Sequence, residues 1–157
     1  MEKTTGMSTL QSTVLDTPSM RQFFFEQAEV ELKRAERYRV FVSLIVLDVS
    51  VVQRVTENQR PEVAREVEAL ARRSVRACDY ISVCGRGCLV ALFPETSRQG
   101  AEVAARRLSD HIRARIADLT GGEFDEVVPL EMASYPDAAG AQSVAALLRE
   151  LADRNRN

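Results

Sequence analysis

Between residues 40 and 47 the chain reads Val-Phe-Val-Ser-Leu-Ile-Val-Leu. The run is rich in β-branched side chains and is followed by Asp48, which predicts a central strand over 40–49, buried on both faces of a sheet. Before it, Phe24, Ala28, Leu32 and Ala35 recur at helical spacing and predict a helix from Pro18-Ser19 to about Arg37. After Pro61, Val63, Val67, Leu70 and Val75 form the apolar stripe of a second helix. Two short apolar stretches, 79–84 and 88–93, predict a hairpin joined at Gly85-Arg86-Gly87. A third helix over 97–118 turns Ala101, Ala104, Leu108, Ile112 and Ile116 inward. Residues 126–136 are strand-like but carry Pro129, which suits an edge or irregular strand, and a last helix begins near Ala141.

The resulting order, α-β-α-β-β-α-β-α, predicts an α/β fold with a mixed central sheet flanked by helices on both faces. Residues 1–12 lack periodicity and read as a flexible tail, so the domain spans 13–157. A chain of 157 residues, 45% hydrophobic, is enough for one such core and too short for two.

Composition narrows the function classes. The net charge of −2 supplies no global field for nucleic acid or an anionic membrane. The longest apolar run is far short of a bilayer span, and the polar N-terminus lacks a secretory pattern, so a cytoplasmic protein is expected. Arginine outnumbers lysine 19 to 2, and its planar donor fork suits phosphates and guanine edges, so individual arginines are judged by position. Cys78, Cys84 and Cys88 lack CxxC pairing or accompanying histidines and read as buried reduced thiols. The alternative for Cys84 and Cys88 is a disulfide across the turn, which a reducing cytoplasm opposes. His111, the one histidine, has no evident partner acid, and Phe23-Phe24-Phe25 reads as core plus partner surface.

Several strings carry a resemblance. "LDTPSMRQFFFEQAEVELKRAERYRVFVSLIVLDVS", "CDYISVCGRGCLVALFPETS", and "MASYP" followed by "ALLRELAD" are similar, in order and spacing, to the GGDEF domain of bacterial diguanylate cyclases over residues 13 to 153. The resemblance puts the family's signature at Gly85, Arg86, Gly87, Cys88 and Leu89, without its acids. Diguanylate cyclases hold two magnesium ions on GTP with carboxylates there and at the end of the first strand, since magnesium demands hard oxygen ligands. Asp48 keeps the first-strand position, but Ser50, Val52-Gln53, Thr56 and Arg60-Pro61 stand where the family has metal, base and phosphate contacts. The resemblance therefore implies a degenerate GGDEF domain that is not an enzyme, with no metal and no cofactor. "TGGEFDEVV" at 120–128 mimics the signature but follows the third helix and reads as a turn with a solvated acidic flank.

What the resemblance preserves is a second, non-catalytic site for cyclic di-GMP. The family places an RxxD motif shortly before its signature, matched here by Arg76 and Asp79, with five residues between Asp79 and Gly85; its further arginine falls on Arg107. Arginine can fork onto guanine O6 and N7 or counter a phosphate, and a carboxylate can accept from guanine N1 and N2. RxxD also occurs at Arg107–Asp110 and Arg115–Asp118, and an ordinary solvated ion pair is the alternative for each copy. Two functions follow. One is a cyclic di-GMP effector acting on a protein partner or a second copy of itself. The other is a pure interaction module that binds no nucleotide and docks through Phe23–Phe25 or the strand edge near Pro129. Neither calls for nucleic acid or a membrane.

Overall fold

The computed structural model describes residues 18–84, 87–137 and 140–156. The expected tail over 1–12, the start of the domain at 13, and Gly85 and Arg86 of the turn lie outside the described residues. Helix α1 spans Pro18–Tyr38, strand β1 Val42–Asp48, a short 3-10 turn Ser50–Arg54, and helix α2 Arg60–Ser74. Strands β2 (Tyr80–Val83) and β3 (Cys88–Pro94) form the hairpin; helix α3 (Arg98–Leu119), strand β4 (Leu130–Tyr135) and helix α4 (Val144–Arg156) complete the chain.

The sheet order is β2-β3-β1-β4, and every pairing is antiparallel. A mixed sheet was expected because helices separate β1 from β2 and β3 from β4. Each crossover instead skips one strand: α2 carries the chain past β3, and α3 carries it past β1. Strands that run in the same direction are therefore never neighbours, the split arrangement of β-α-β units.

The apolar run of β1 is continuous because both faces are covered. Val42, Leu44 and Val46 pack with Phe24, Ala28 and Ala35 of α1 and Leu147 and Leu151 of α4. Ile45 and Leu47 pack on the other face with Val63 and Val67 of α2 and Leu108, Ile112 and Ile116 of α3. The expected stripes are buried, with Leu32, Leu70, Val75 and Ala104 only partly so, and with Ala71 and Ala105 added. Pro129 sits just before edge strand β4, where its carbonyl accepts from Asp48 N at 2.9 Å, so its missing N–H costs nothing. Helix α4 begins at Val144 rather than near Ala141, because the Ser143 hydroxyl accepts from Ala146 N at 3.0 Å and caps it.

Among the described residues no helix is long and apolar enough to cross a membrane. The 120–128 segment is a loop: Gly121 and Gly122, at φ +62° and +86°, end α3, and Asp125 and Glu126 bond Arg113 and Arg54. In the Phe triplet, Phe24 is buried, Phe25 partly buried and Phe23 49% exposed. Cys78 is exposed, contrary to the expectation of three buried thiols, because it lies on the turn after α2; Cys84 is buried and Cys88 half-buried.

Candidate functional site

Helix α2 stops at Ser74 because Val75 adopts extended backbone (φ −108°, ψ 160°), which turns the next four residues across the sheet end. Asp79 closes this turn, its own N–H donating to Arg76 O at 3.0 Å. Its carboxylate accepts from Arg76 backbone N–H at 2.8 Å, and from Nε and Nη2 of the same residue at 3.3 and 3.0 Å. The Asp79 side chain is only 3% exposed, while that of Arg76 is 56% exposed. A carboxylate so buried is tolerable because donors meet it on three sides. In return, the hydrogen bonds that Arg76 donates to Asp79 raise the pKa of Arg76, with burial working against it.

Arg76 has further partners that the spacing of RxxD does not reveal. Its Nη2 also donates to the Pro94 carbonyl at 3.1 Å and to Thr96 Oγ1 at 2.7 Å. Together Arg76, Asp79, Thr96, Phe93, Gly100 and Arg107 line a cavity of about 240 Å³. Arg107 is exposed on α3 and has no ion-pair partner among the described residues. The three residues singled out by resemblance thus meet at one cavity. The sequence pattern marks neither Thr96 nor Gly100 for this cavity, although for Gly100 a signal was present: Gly100, Ala104 and Arg107 share one face of α3, with the two small residues leaving space below the arginine.

The other copies of the tetrapeptide differ. Arg115 and Asp118 form a pair at 3.1 Å on the surface of α3, with the Asp118 side chain 73% exposed. Arg115 also bonds Glu66 at 2.8 Å and holds its carboxyl below the usual range. No ion pair joins Arg107 and Asp110 among the described residues.

At the opposite end of the sheet, Asp48 is exposed and faces Cys88 in register across β1 and β3. Its Oδ1 accepts from Ser50 N at 2.9 Å, capping the short turn that follows. Cys88 lies beside Cys84, whose thiol and then burial push it well above the usual thiol range. Gly87 has φ +80°, and a Cβ there would come within 2.6 Å of Ser50 Cα. This backbone therefore admits no side chain at one of the two positions where the resemblance would put an acid. Asp48, Cys88, Glu131 and Arg154 border a larger groove of about 530 Å³. Among the described residues no three His, Cys, Asp or Glu side chains are grouped to hold a metal ion. His111 is exposed on α3.

No protein-family model and no curated protein matches the sequence. Solved structures do. The GGEEF domain of an active diguanylate cyclase from Vibrio cholerae superposes with a TM-score of 0.59 at 18% identity, covering 86% of each chain. The GGDEF domain of YfiN from Pseudomonas aeruginosa gives 0.60 at 22% identity over 87% of this chain and 81% of that one. The GGDEF domain of DgcB from Caulobacter crescentus, in complex with c-di-GMP, gives 0.58 at 15% identity over 87% and 84%. With the element order, the antiparallel sheet and these superpositions in agreement, this chain has the fold of a GGDEF domain.

Proposed function

We propose that the chain is a non-catalytic receptor for cyclic di-GMP, which binds the dinucleotide at Arg76, Asp79 and Arg107 and transmits its presence to a protein partner or a second copy. The observation that supports this most is the convergence of those three residues on one cavity, with Arg107 unpaired among the described residues. A neighbour in fold, DgcB, was solved in complex with c-di-GMP. Arg107 offers a fork to guanine O6 and N7 or to a phosphate. Asp79 already gives three of its roughly four acceptor sites to Arg76 and meets the weak donor Cys78 Sγ at 3.8 Å, so its first task is to hold that arginine, and a guanine N–H would have to displace the thiol.

The cavity size supports the partner. At about 240 Å³ it lies below the roughly 300–1,000 Å³ of pockets that enclose a whole drug-sized ligand. A cyclic dinucleotide would be gripped at one end, leaving the rest for a second surface. A ligand shared in this way stabilises the assembled state through contacts absent from the separate molecules. Catalysis finds no support at the other sheet end, where a protonated thiol faces Asp48 and Gly87 admits no side chain.

The test is isothermal titration of cyclic di-GMP into the protein and into Arg107→Ala, with GTP as the control ligand. Saturable binding at micromolar concentration or tighter, weakened by Arg107→Ala, supports the receptor. No heat and no thermal shift at high ligand concentration overturns it.

The interaction module remains a second reading, favoured by one observation. Phe23 and Val30, seven residues apart on α1, and Phe41 just beyond it are all about half exposed. In that case Phe23→Ser abolishes partner capture, and cyclic di-GMP has no effect on it.

A further inference from the structure

The grip on Arg76 includes a hydroxyl that is itself tied to the sheet. Thr96 Oγ1 accepts from Arg76 Nη2 at 2.7 Å and donates to the Pro94 carbonyl at 2.9 Å. The backbone carbonyl of Thr96 accepts from Ser43 Oγ at 2.8 Å, a fully buried hydroxyl near the start of the central strand β1. Ser43 in turn shares a 2.7 Å bond with the buried Ser134 of β4. Between Pro94 and Thr96, Glu95 sits at φ +50° and its carboxylate reaches Arg34 of α1 at 3.0 Å. The turn that receives Arg76 is thus fastened to β1, β4 and α1.

We infer that Thr96 is a positioning residue for the ligand site: it fixes the guanidinium plane of Arg76 so that the remaining corner, Nη1, is presented to a guanine edge or a phosphate. The inference rests on the cyclic di-GMP reading. Asp79 holds the Nε–Nη2 edge, which sets the arginine in the plane of the carboxylate. Thr96 and the Pro94 carbonyl hold Nη2 from outside that pair, which stops the plane from swinging. Nη1 has no hydrogen-bond partner among the described residues. A long side chain fixed before the ligand arrives loses less rotamer freedom on binding, so the hydroxyl acts on affinity without touching the ligand.

Three variants test this. Thr96→Val keeps the branched shape and removes the acceptor, Thr96→Ser restores it, and Thr96→Ala gives the same comparison should the valine variant fail to fold. Two quantities are read: the Nε–H magnetic resonance signal of Arg76 in ligand-free protein, identified by its loss in Arg76→Lys, and the affinity for cyclic di-GMP. The signal is expected to be sharp in the wild type and Thr96→Ser and broadened in Thr96→Val. Affinity is expected to fall by up to about ten-fold in Thr96→Val, the cost of ordering one long side chain on binding, and to recover in Thr96→Ser. Unchanged affinity in Thr96→Val or Thr96→Ala, with or without a changed signal, overturns the inference. A wild type that binds no cyclic di-GMP sinks the receptor reading instead, and the signal then decides separately whether Thr96 orders Arg76.

Discussion

At its first residue β3 sets Cys88 opposite Asp48; at its last it lends the Pro94 carbonyl to Arg76. Between these ends the strand is core on both faces, so the two sites share a scaffold and differ only in the polar groups around them. At the first end an exposed Asp48 caps a turn opposite a thiol whose pKa is raised, Glu131 is turned to Arg154, and among the described residues no three His, Cys, Asp or Glu side chains are grouped to hold a metal ion. At the other, a buried carboxylate is satisfied from three sides and two arginines border a cavity. One scaffold thus carries two differently furnished ends, because packing and polar satisfaction are decided locally.

The strongest way to break this comparison is Asp79→Ala. The buried acceptor and its three bonds disappear, and the Arg76 backbone N–H loses its partner. With the half-exposed guanidinium free to find water, the cost should be about 2–3 kcal/mol, below that of severing a fully buried pair. Asp118→Ala, the same change in the surface copy of the motif, should leave the unfolding midpoint unchanged. Chemical denaturation of both variants checks the contrast, and equal effects would show that the 76–79 pair is only another surface pair.

Gly87→Asp probes the other end. A side chain at φ +80° pressed against Ser50 should cost about 2 kcal/mol, and the added carboxylate should produce no magnesium-dependent turnover of GTP. Nucleotide product in that assay would contradict the view that the backbone itself has closed this site. Next in size is Arg107→Ala, which removes an exposed cation and should weaken cyclic di-GMP about ten-fold or more without moving the unfolding midpoint. It is a cleaner probe than Arg76→Ala, which strands the Asp79 carboxylate in the interior.

The smallest effect concerns the thiols. The raised pKa of Cys88 means that its reactive thiolate hardly forms even as the pH rises toward 9. Alkylation followed by mass spectrometry should therefore modify exposed Cys78 first and leave Cys88 slow across pH 7–9. Rapid labelling of Cys88 would show a more open and more polar strand end.

Much of the fold was legible because burial leaves a periodic mark. The run at 40–47 is apolar without alternation because α1 and α4 cover one face and α2 and α3 the other. The direction of neighbouring strands left no such mark: a parallel and an antiparallel neighbour bury the same side chains, so the mixed sheet expected from the crossovers became an antiparallel one. Helix α4 started late because Ser143, not the apolar pattern, sets its first turn. At the site, resemblance picked out Arg76, Asp79 and Arg107, but three copies of RxxD look alike on paper. What separates them is the extended backbone at Val75, which carries one copy off its helix and turns Asp79 inward. Thr96 stayed hidden because its role depends on a turn that meets Arg76 from twenty residues away in the chain.

The most direct measurement is the titration of cyclic di-GMP into the wild-type protein and Arg107→Ala, with Thr96→Val and GTP alongside. Saturable binding by the wild type is expected, about ten-fold or more weaker in Arg107→Ala, in proteins of equal thermal stability. Absence of binding, or binding indifferent to Arg107, would contradict it and leave the exposed face of α1 as the surface through which this GGDEF fold acts.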